Sequence, residues 1–176
     1  MKIKPLFMKI LKNLLTVFLA VIIFSCQPPV ESAPEIDLTT YKLNLETAQK
    51  LFATFSSEDI DSQKPLLCPG LTHYSPFYGS EPSNVDGFLA ASKAWMDNFD
   101  EITYTDSKWF PGTDQSGKPD GSVMTMGKWT AKNTMTGNVI NIGAFHTFIF
   151  NKKNQIHETR DFFDASGVMA AAMKTE

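Results

Sequence analysis

The sequence predicts an α+β domain on three observations: helix-spaced apolar residues come first, four long alternating segments follow, and glycines sit inside two of those segments. The first helix is expected from Asn44, a capping residue with Glu46 and Thr47 in the opening turn and Ala48, Leu51, Phe52 and Phe55 at helical spacing. A short second helix is expected over Glu58 to Leu67, ended by Pro69-Gly70. Leu71 to Tyr74 reads as a brief strand, and Ser75 to Asn84 as loop, broken by Pro76, Gly79 and Pro82. Asp86 then opens a third helix through Phe99, with Phe88, Leu89, Ser92, Trp95, Met96 and Phe99 along one stripe.

The second half reads as antiparallel sheet, with strands over Ile102 to Phe110, Ser122 to Asn133, Val139 to Asn151 and Gln155 to Phe163. Pro111-Gly112, Asp120-Gly121, Thr136-Gly137-Asn138 and Lys152 to Asn154 supply the turns between them. Gly127 and Gly143 inside long strands predict a bent, strongly twisted sheet. A final helix over Ser166 to Met173 takes Asp164 or Ser166 as its cap. Helices laid over one face of such a sheet make a cone with an open end.

The N-terminus has a different character. Lys2, Lys4, Lys9 and Lys12 precede the uncharged run Leu14 to Phe24, the layout of a secretory signal. That run has 11 residues, against the roughly 20 that a spanning helix needs. Ile23-Phe24-Ser25-Cys26 follows directly and resembles the lipobox of bacterial lipoproteins, which implies lipid on Cys26 and a place in the cell envelope, on the periplasmic or outer-membrane side. The expected organisation is a signal peptide over 1–25, a lipidated cysteine and Pro-rich tether over 26–42, and one domain over 43–176. With Cys26 consumed as a thioether, Cys68 is left as a lone thiol, read as a small hydrophobe in an apolar turn.

A net charge of −3 and a pI near 5.6 give no basic face for a phosphate backbone, so nucleic acid is not an expected partner. Fourteen Phe and three Trp point to a large core or to an apolar cavity lined by rings. His73, His146 and His157 show no metal-ligand spacing, and no phosphate loop, nucleophile elbow or CxxC is present, so neither metal nor cofactor is expected.

Gly87-Phe88-Leu89 and Trp95, the run Phe148-Ile149-Phe150-Asn151-Lys152-Lys153-Asn154-Gln155-Ile156, and the closing Glu158-Thr159-Arg160-Asp161-Phe162-Phe163-Asp164 together resemble the nuclear transport factor 2-like (NTF2-like) superfamily, in particular its SnoaL-like branch. Asn154-Gln155 replaces the family's usual Gly-Lys in the turn, and Arg160 stands where Trp is common. The resemblance implies a cone-shaped fold with a deep apolar pocket and often a homodimer through the sheet. Members include ring isomerases, polyketide cyclases, epoxide hydrolases, dehydratases and non-catalytic binders, so the fold by itself names no reaction.

Catalytic members of that family generally work by acid–base chemistry in a dry cavity, and the candidates here are Asp161, His146 and Tyr74. A tight turn pairing Asn151 with Gln155 sets His146 opposite Arg160 and turns Asp161 to the other face with Phe145 and Thr147. A bulge or one-residue slip reverses this. Arg160 is a candidate clamp for a ligand carboxylate, and Tyr74, Trp95, Trp109 and Trp129 are candidate cavity walls. With no decisive catalytic constellation, the preferred reading is an envelope-anchored module that binds a small apolar or aromatic molecule. The alternative is a cofactor-free isomerase, cyclase or hydratase using Asp161 or His146 as general acid or base.

Overall fold

The structure, a computed structural model, describes residues 37–174. The signal run, Cys26 and the chain through residue 36 lie outside the described residues. The elements run α1 (Thr39–Ser56), a 3-10 turn (Asp61–Leu66), β1 (Leu67–Tyr74), α2 (Val85–Asn98), β2 (Phe99–Thr113), β3 (Pro119–Asn133), β4 (Val139–Phe150), β5 (Ile156–Phe162) and α3 (Ala165–Ala172).

One sheet of order β1-β5-β4-β3-β2 carries the fold. Strands β2 to β5 pair antiparallel as expected, but β1 adds to β5 in parallel, so the sheet is mixed. β1 is also longer than the predicted fragment, starting at Leu67 and running through Pro69-Gly70. Its register with β5 shifts between Leu67 and Thr72, which places Pro69, with no N–H to give, where the ladder is interrupted.

α1 starts at Thr39, whose amide donates to Asp37 Oδ1 at 2.9 Å, and so takes in four residues expected in the tether. Asn44 is no cap. Buried in the second turn, it donates through Nδ2 to the Gly121 carbonyl at 2.7 Å and accepts from Asn154 Nδ2 at 2.8 Å, tying the helix to two turns of the sheet. The caps at the later helices are local: Asn84 accepts from the Gly87 amide at 3.0 Å and Asp164 from the Gly167 amide at 2.8 Å.

Curvature comes from irregular pairing. β2 loses register against β3 at three points, and Glu101 and Asp106 near two of them adopt φ of 56° and 52°. Such residues unpaired from the ladder bend and coil a strand. Lys132 and Lys128 on β3 reach across to these two carboxylates, at 3.8 and 3.0 Å. The sheet thereby wraps around α1, whose Leu51 and Phe52 meet Trp129, Val123 and Phe148 in the core. Of the two strand glycines only Gly127 has a steric reason: a Cβ there would lie 2.4 Å from the Tyr104 ring, whereas at Gly143 it would meet nothing.

Candidate active site

Between the helices and the concave face of the sheet lies a cavity of about 370 Å³, so the interior is hollow. Its walls are rings and aliphatics, among them Phe52, Phe55, Phe88, Trp95, Phe148 and Phe163. The exposed members of the lining, Phe77, Ala91, Ala94, Asn98, Met169 and Met173, lie on the 75–77 loop, on α2 and on α3 with its C-cap, so the cavity opens there.

Set into this apolar wall is a row of ionisable groups. Asp161 on β5 faces His146 on β4 as a cross-strand pair, with His146 Nδ1 2.7 Å from Oδ1. From the other side His73 on β1 brings Nε2 to within 3.0 Å of Asp161 Oδ2. The row continues at both ends: Trp129 Nε1 donates to His146 Nε2 at 3.0 Å, and Ser83 Oγ lies 3.2 Å from His73 Nδ1. Both histidines are buried, while the Asp161 side chain is 21% exposed. Of these three ionisable groups it is therefore the carboxylate that presents an open edge.

A single residue creates this arrangement. Asn151 does pair with Gln155, its amide donating to the Gln155 carbonyl at 2.9 Å, as the turn predicts. Beyond it, Phe150 pairs with Ile156 but Ile149 pairs with Glu158, leaving His157 as an extra residue in β5. This bulge reverses the alternation. Ile156 and Thr159 both face inward, Asp161 joins His146 on the concave side, and Arg160 pairs with Thr147 on the convex side. The expected pairing of His146 with Arg160 is thereby corrected.

Burial works to raise the Asp161 carboxyl, but hydrogen bonds from His146 and His73, with their attraction for the anion, hold it well below the ordinary carboxylate range. Burial also pushes the nearby Tyr104 phenol up, against a hydrogen bond with Thr125. Two small polar groups of the lining are buried beside this row. Ser92 is buried, and the fully buried Thr159, two residues before Asp161 on the same face, has a hydroxyl with no partner.

Asp161, His146, Trp95 and Trp129 thus lie at the cavity. Three other expected contacts do not. Tyr74 and Arg160 pair across β1 and β5 on the convex face, where the guanidinium sits 4.2 Å over the phenol ring and donates to Glu158 at 2.8 Å. Trp109 packs edge-on against Phe52 behind the cavity wall, its indole donating to Ser107. His73 and Thr159 are cavity residues beside Asp161 that the sequence did not single out for the site. The available signal was their alternation with Leu71 and Asp161, which turns each inward once the strand and the bulge are known. Cys68 is free and half-buried on β1, away from the cavity; a hydrogen bond from His157 and one from the Gly70 backbone lower its thiol. Among the described residues no three ligating groups are placed to hold a metal ion, and no helix is long and apolar enough to cross a membrane.

Neither a protein-family model nor a curated relative matches the sequence. Solved structures do match the fold. A candidate isomerase from Bacillus subtilis superposes with a TM-score of 0.64 at 15% identity, over 76% of this chain and 94% of its own. A candidate SnoaL-like polyketide cyclase from Jannaschia sp. CCS1 gives 0.62 at 16% identity, over 80% and 99%. IdmH, a candidate polyketide cyclase from Streptomyces antibioticus, gives 0.60 at 16% identity, over 73% and 96%. Helices on a curved, unclosed five-stranded sheet, with a cavity between them, give this chain the SnoaL-like, NTF2-like α+β cone fold.

Proposed function

We propose that the chain is a cofactor-free acid–base catalyst acting on a small, mostly apolar ring ketone or related carbonyl compound, and that it works in the cell envelope, anchored through lipid on Cys26. The observation that carries the catalytic reading is the carboxylate of Asp161, kept ionised between two buried histidines in a cavity otherwise walled by rings. A binding site for an apolar molecule has no use for a desolvated anion, which is costly to hold in such a place. Isomerase and cyclase names among the structural neighbours agree with this reading at the level of reaction class.

In the proposed reaction Asp161 takes a proton from the carbon beside the carbonyl. The C–H electron pair moves into the ring as an enolate, and its oxygen accepts a hydrogen bond from the unpartnered Thr159 hydroxyl. Returning the proton to the same carbon or a conjugated one completes an exchange or an isomerisation; in a ring closure the enolate carbon attacks a second carbonyl and the alkoxide so formed takes the proton back from Asp161. The cavity supplies the dry surroundings that keep the enolate from competing water.

The test is deuterium uptake from D₂O into a panel of cyclic enones and aromatic polyketide-type ketones, followed by mass spectrometry. Uptake by the wild type and a fall of about 10³-fold in Asp161→Asn is expected. A panel without a single exchanged member, or a variant as active as the parent, would overturn the proposal. Thr159→Val should cost roughly 10-fold or more through the oxyanion while leaving Asp161 in place. For the anchor, Cys26→Ser should release the protein from membranes, and retention of the variant would contradict lipid attachment.

The convex face supports a second part of the proposal, a homodimer through the sheet. Phe110, Phe145 and Phe162 form a ladder there, and Met126 and Phe162 are 55% and 51% exposed. Sedimentation of Phe162→Asp beside the parent decides it: a dimer that the variant abolishes is expected, and a monomeric parent would end that part.

A further inference from the structure

We propose that the two histidines flanking Asp161 have different jobs: His73, with Ser83, takes up and releases the proton that switches the site, whereas His146 is a positioning residue locked as its neutral Nδ1–H tautomer. The catalytic meaning of this rests on the acid–base reading above. The division itself follows from which atoms can donate and which can accept.

An indole N–H donates and cannot accept. Trp129 Nε1 lies 3.0 Å from His146 Nε2, so that nitrogen must offer its lone pair. His146 Nδ1, 2.7 Å from the carboxylate, must then bear the ring's proton. Both nitrogens are committed. A second proton on Nε2 would set two N–H groups against each other in a buried place and orphan both.

His73 is built differently. Its Nε2–H donates to Asp161 Oδ2, and Nδ1 meets the hydroxyl of Ser83 at 3.2 Å. A hydroxyl both donates and accepts. While His73 is neutral, Ser83 donates to Nδ1. When a proton arrives, Ser83 passes its own hydrogen to Nδ1 and draws a replacement from water, ending as the acceptor of the new N–H. No heavy atom moves and no hydrogen bond is lost.

The backbone holds the pair in register. Ser83 and His73 exchange both amide bonds, at 2.8 and 2.9 Å, so their side chains share one face. The tight start of α2 backs the serine, since a Cβ on Gly87 would lie 2.7 Å from that of Ser83. Ser83 is half-buried, in reach of solvent.

The groups facing the two rings are Asp161 from β5, Tyr104 from β2, Trp129 from β3, Phe52 from α1, Phe88 from α2, Phe148 from β4 and Phe163 ahead of α3. Of these only Asp161 and Tyr104 titrate. With His73 neutral the cavity holds a lone anion, and with His73 protonated it holds a neutral ion pair, which weakens Asp161 as a base. Proton abstraction therefore sets in as His73 loses its proton.

Long-range ¹H–¹⁵N spectra of the histidine-labelled full chain, recorded across pH, test this without any substrate. On acidification His73 Nδ1 should move to the protonated shift while His146 Nε2 stays an unprotonated acceptor and the Trp129 indole proton stays downfield. Ser83→Ala should lower the proton affinity of His73 by roughly fivefold, because the cation loses a charge-assisted acceptor. Trp129→Phe should free His146 Nε2 to take up a proton in the same range. Protonation of His146 Nε2 before or together with His73 in the wild type would overturn the proposal, as would a Ser83→Ala titration identical to the parent's. If the spectra behave as expected and no carbonyl compound exchanges deuterium, the division of roles stands and the proposed catalysis falls.

Discussion

The two faces of β5 differ more than its sequence does. Asp161 faces inward, its charge desolvated and shared between two histidines; Arg160, one residue earlier, faces outward, stacked on Tyr74 and half-exposed. Both are charged and both are paired, yet only the inner pair works in a low dielectric, where a charge is strongly felt by a neighbour. The outer pair is screened by water and worth little. Whether a charged residue here is functional is decided by which way the strand turns it, and the turning is set by one extra residue, His157.

Shifting the strand by one residue beyond the bulge is the harshest way to break the contrast. An alanine inserted between Glu158 and Thr159 would set His146 opposite Arg160, with Arg160 and Phe162 pointing into the cavity and Asp161 out of it. Urea unfolding followed by circular dichroism should show a loss of about 3–5 kcal/mol or no cooperative transition, since Asp161 loses its two histidines and an unpaired charge is turned inward. An insertion variant within about 1 kcal/mol of the parent would show that the register of β5 does not hold the faces apart.

Acid sharpens the same contrast. Because the carboxyl of Asp161 is lower in the folded chain than in the unfolded one, the stability it contributes is present above the unfolded value of about 4 and is lost as the pH falls from there through the folded value. In thermal melts between about pH 5 and pH 2, Asp161→Asn should flatten this part of the decline, as the amide has no proton to gain. A variant whose curve runs parallel to the parent's would mean that Asp161 is not held low by its histidines.

Most elements could be read from spacing and turn chemistry, because the forces that make them act within a few residues. Asn84 and Asp164 cap helices from the three residues that follow them, and the strand ends at Asn133 and Val139 fall where Thr136-Gly137-Asn138 turns the chain. What could not be read depends on partners far along the chain. Asn44 looks like a cap until Gly121 and Asn154 claim its amide. His73 looks isolated because its partner Asp161 is 88 residues away, and β1 finds its place only by a parallel pairing with the last strand. The bulge is the sharpest case. Nothing in Ile156-His157-Glu158 marks it, since Ile156 is buried with or without the extra residue, and the choice falls to whether Asp161 or Arg160 is better satisfied inside.

Glycines give a smaller version of the two-face comparison. Gly127 lies under the Tyr104 ring, so Gly127→Ala must push that ring aside and should cost about 1–3 kcal/mol, with Tyr104 drawn off Thr125. Gly143→Ala, on the open side of the next strand, should change stability by no more than about 0.5 kcal/mol. Equal effects would mean that the bend near β2 does not depend on the close approach.

The smallest effect belongs to the outer charge. Arg160→Ala removes a cation stacked on Tyr74 and bonded to Glu158, two contacts open to water that screen each other's worth. Unfolding should show a change of about 0.5 kcal/mol or less that shrinks as salt is raised, and deuterium exchange should stay within about twofold of the parent. The comparison with Asp161→Asn then isolates the variable of interest, since the two substitutions remove charges from adjacent residues of one strand. If Arg160→Ala cost as much exchange activity as Asp161→Asn, the outward face would have to reach the ligand, and the separation of the two faces by the His157 bulge would be false.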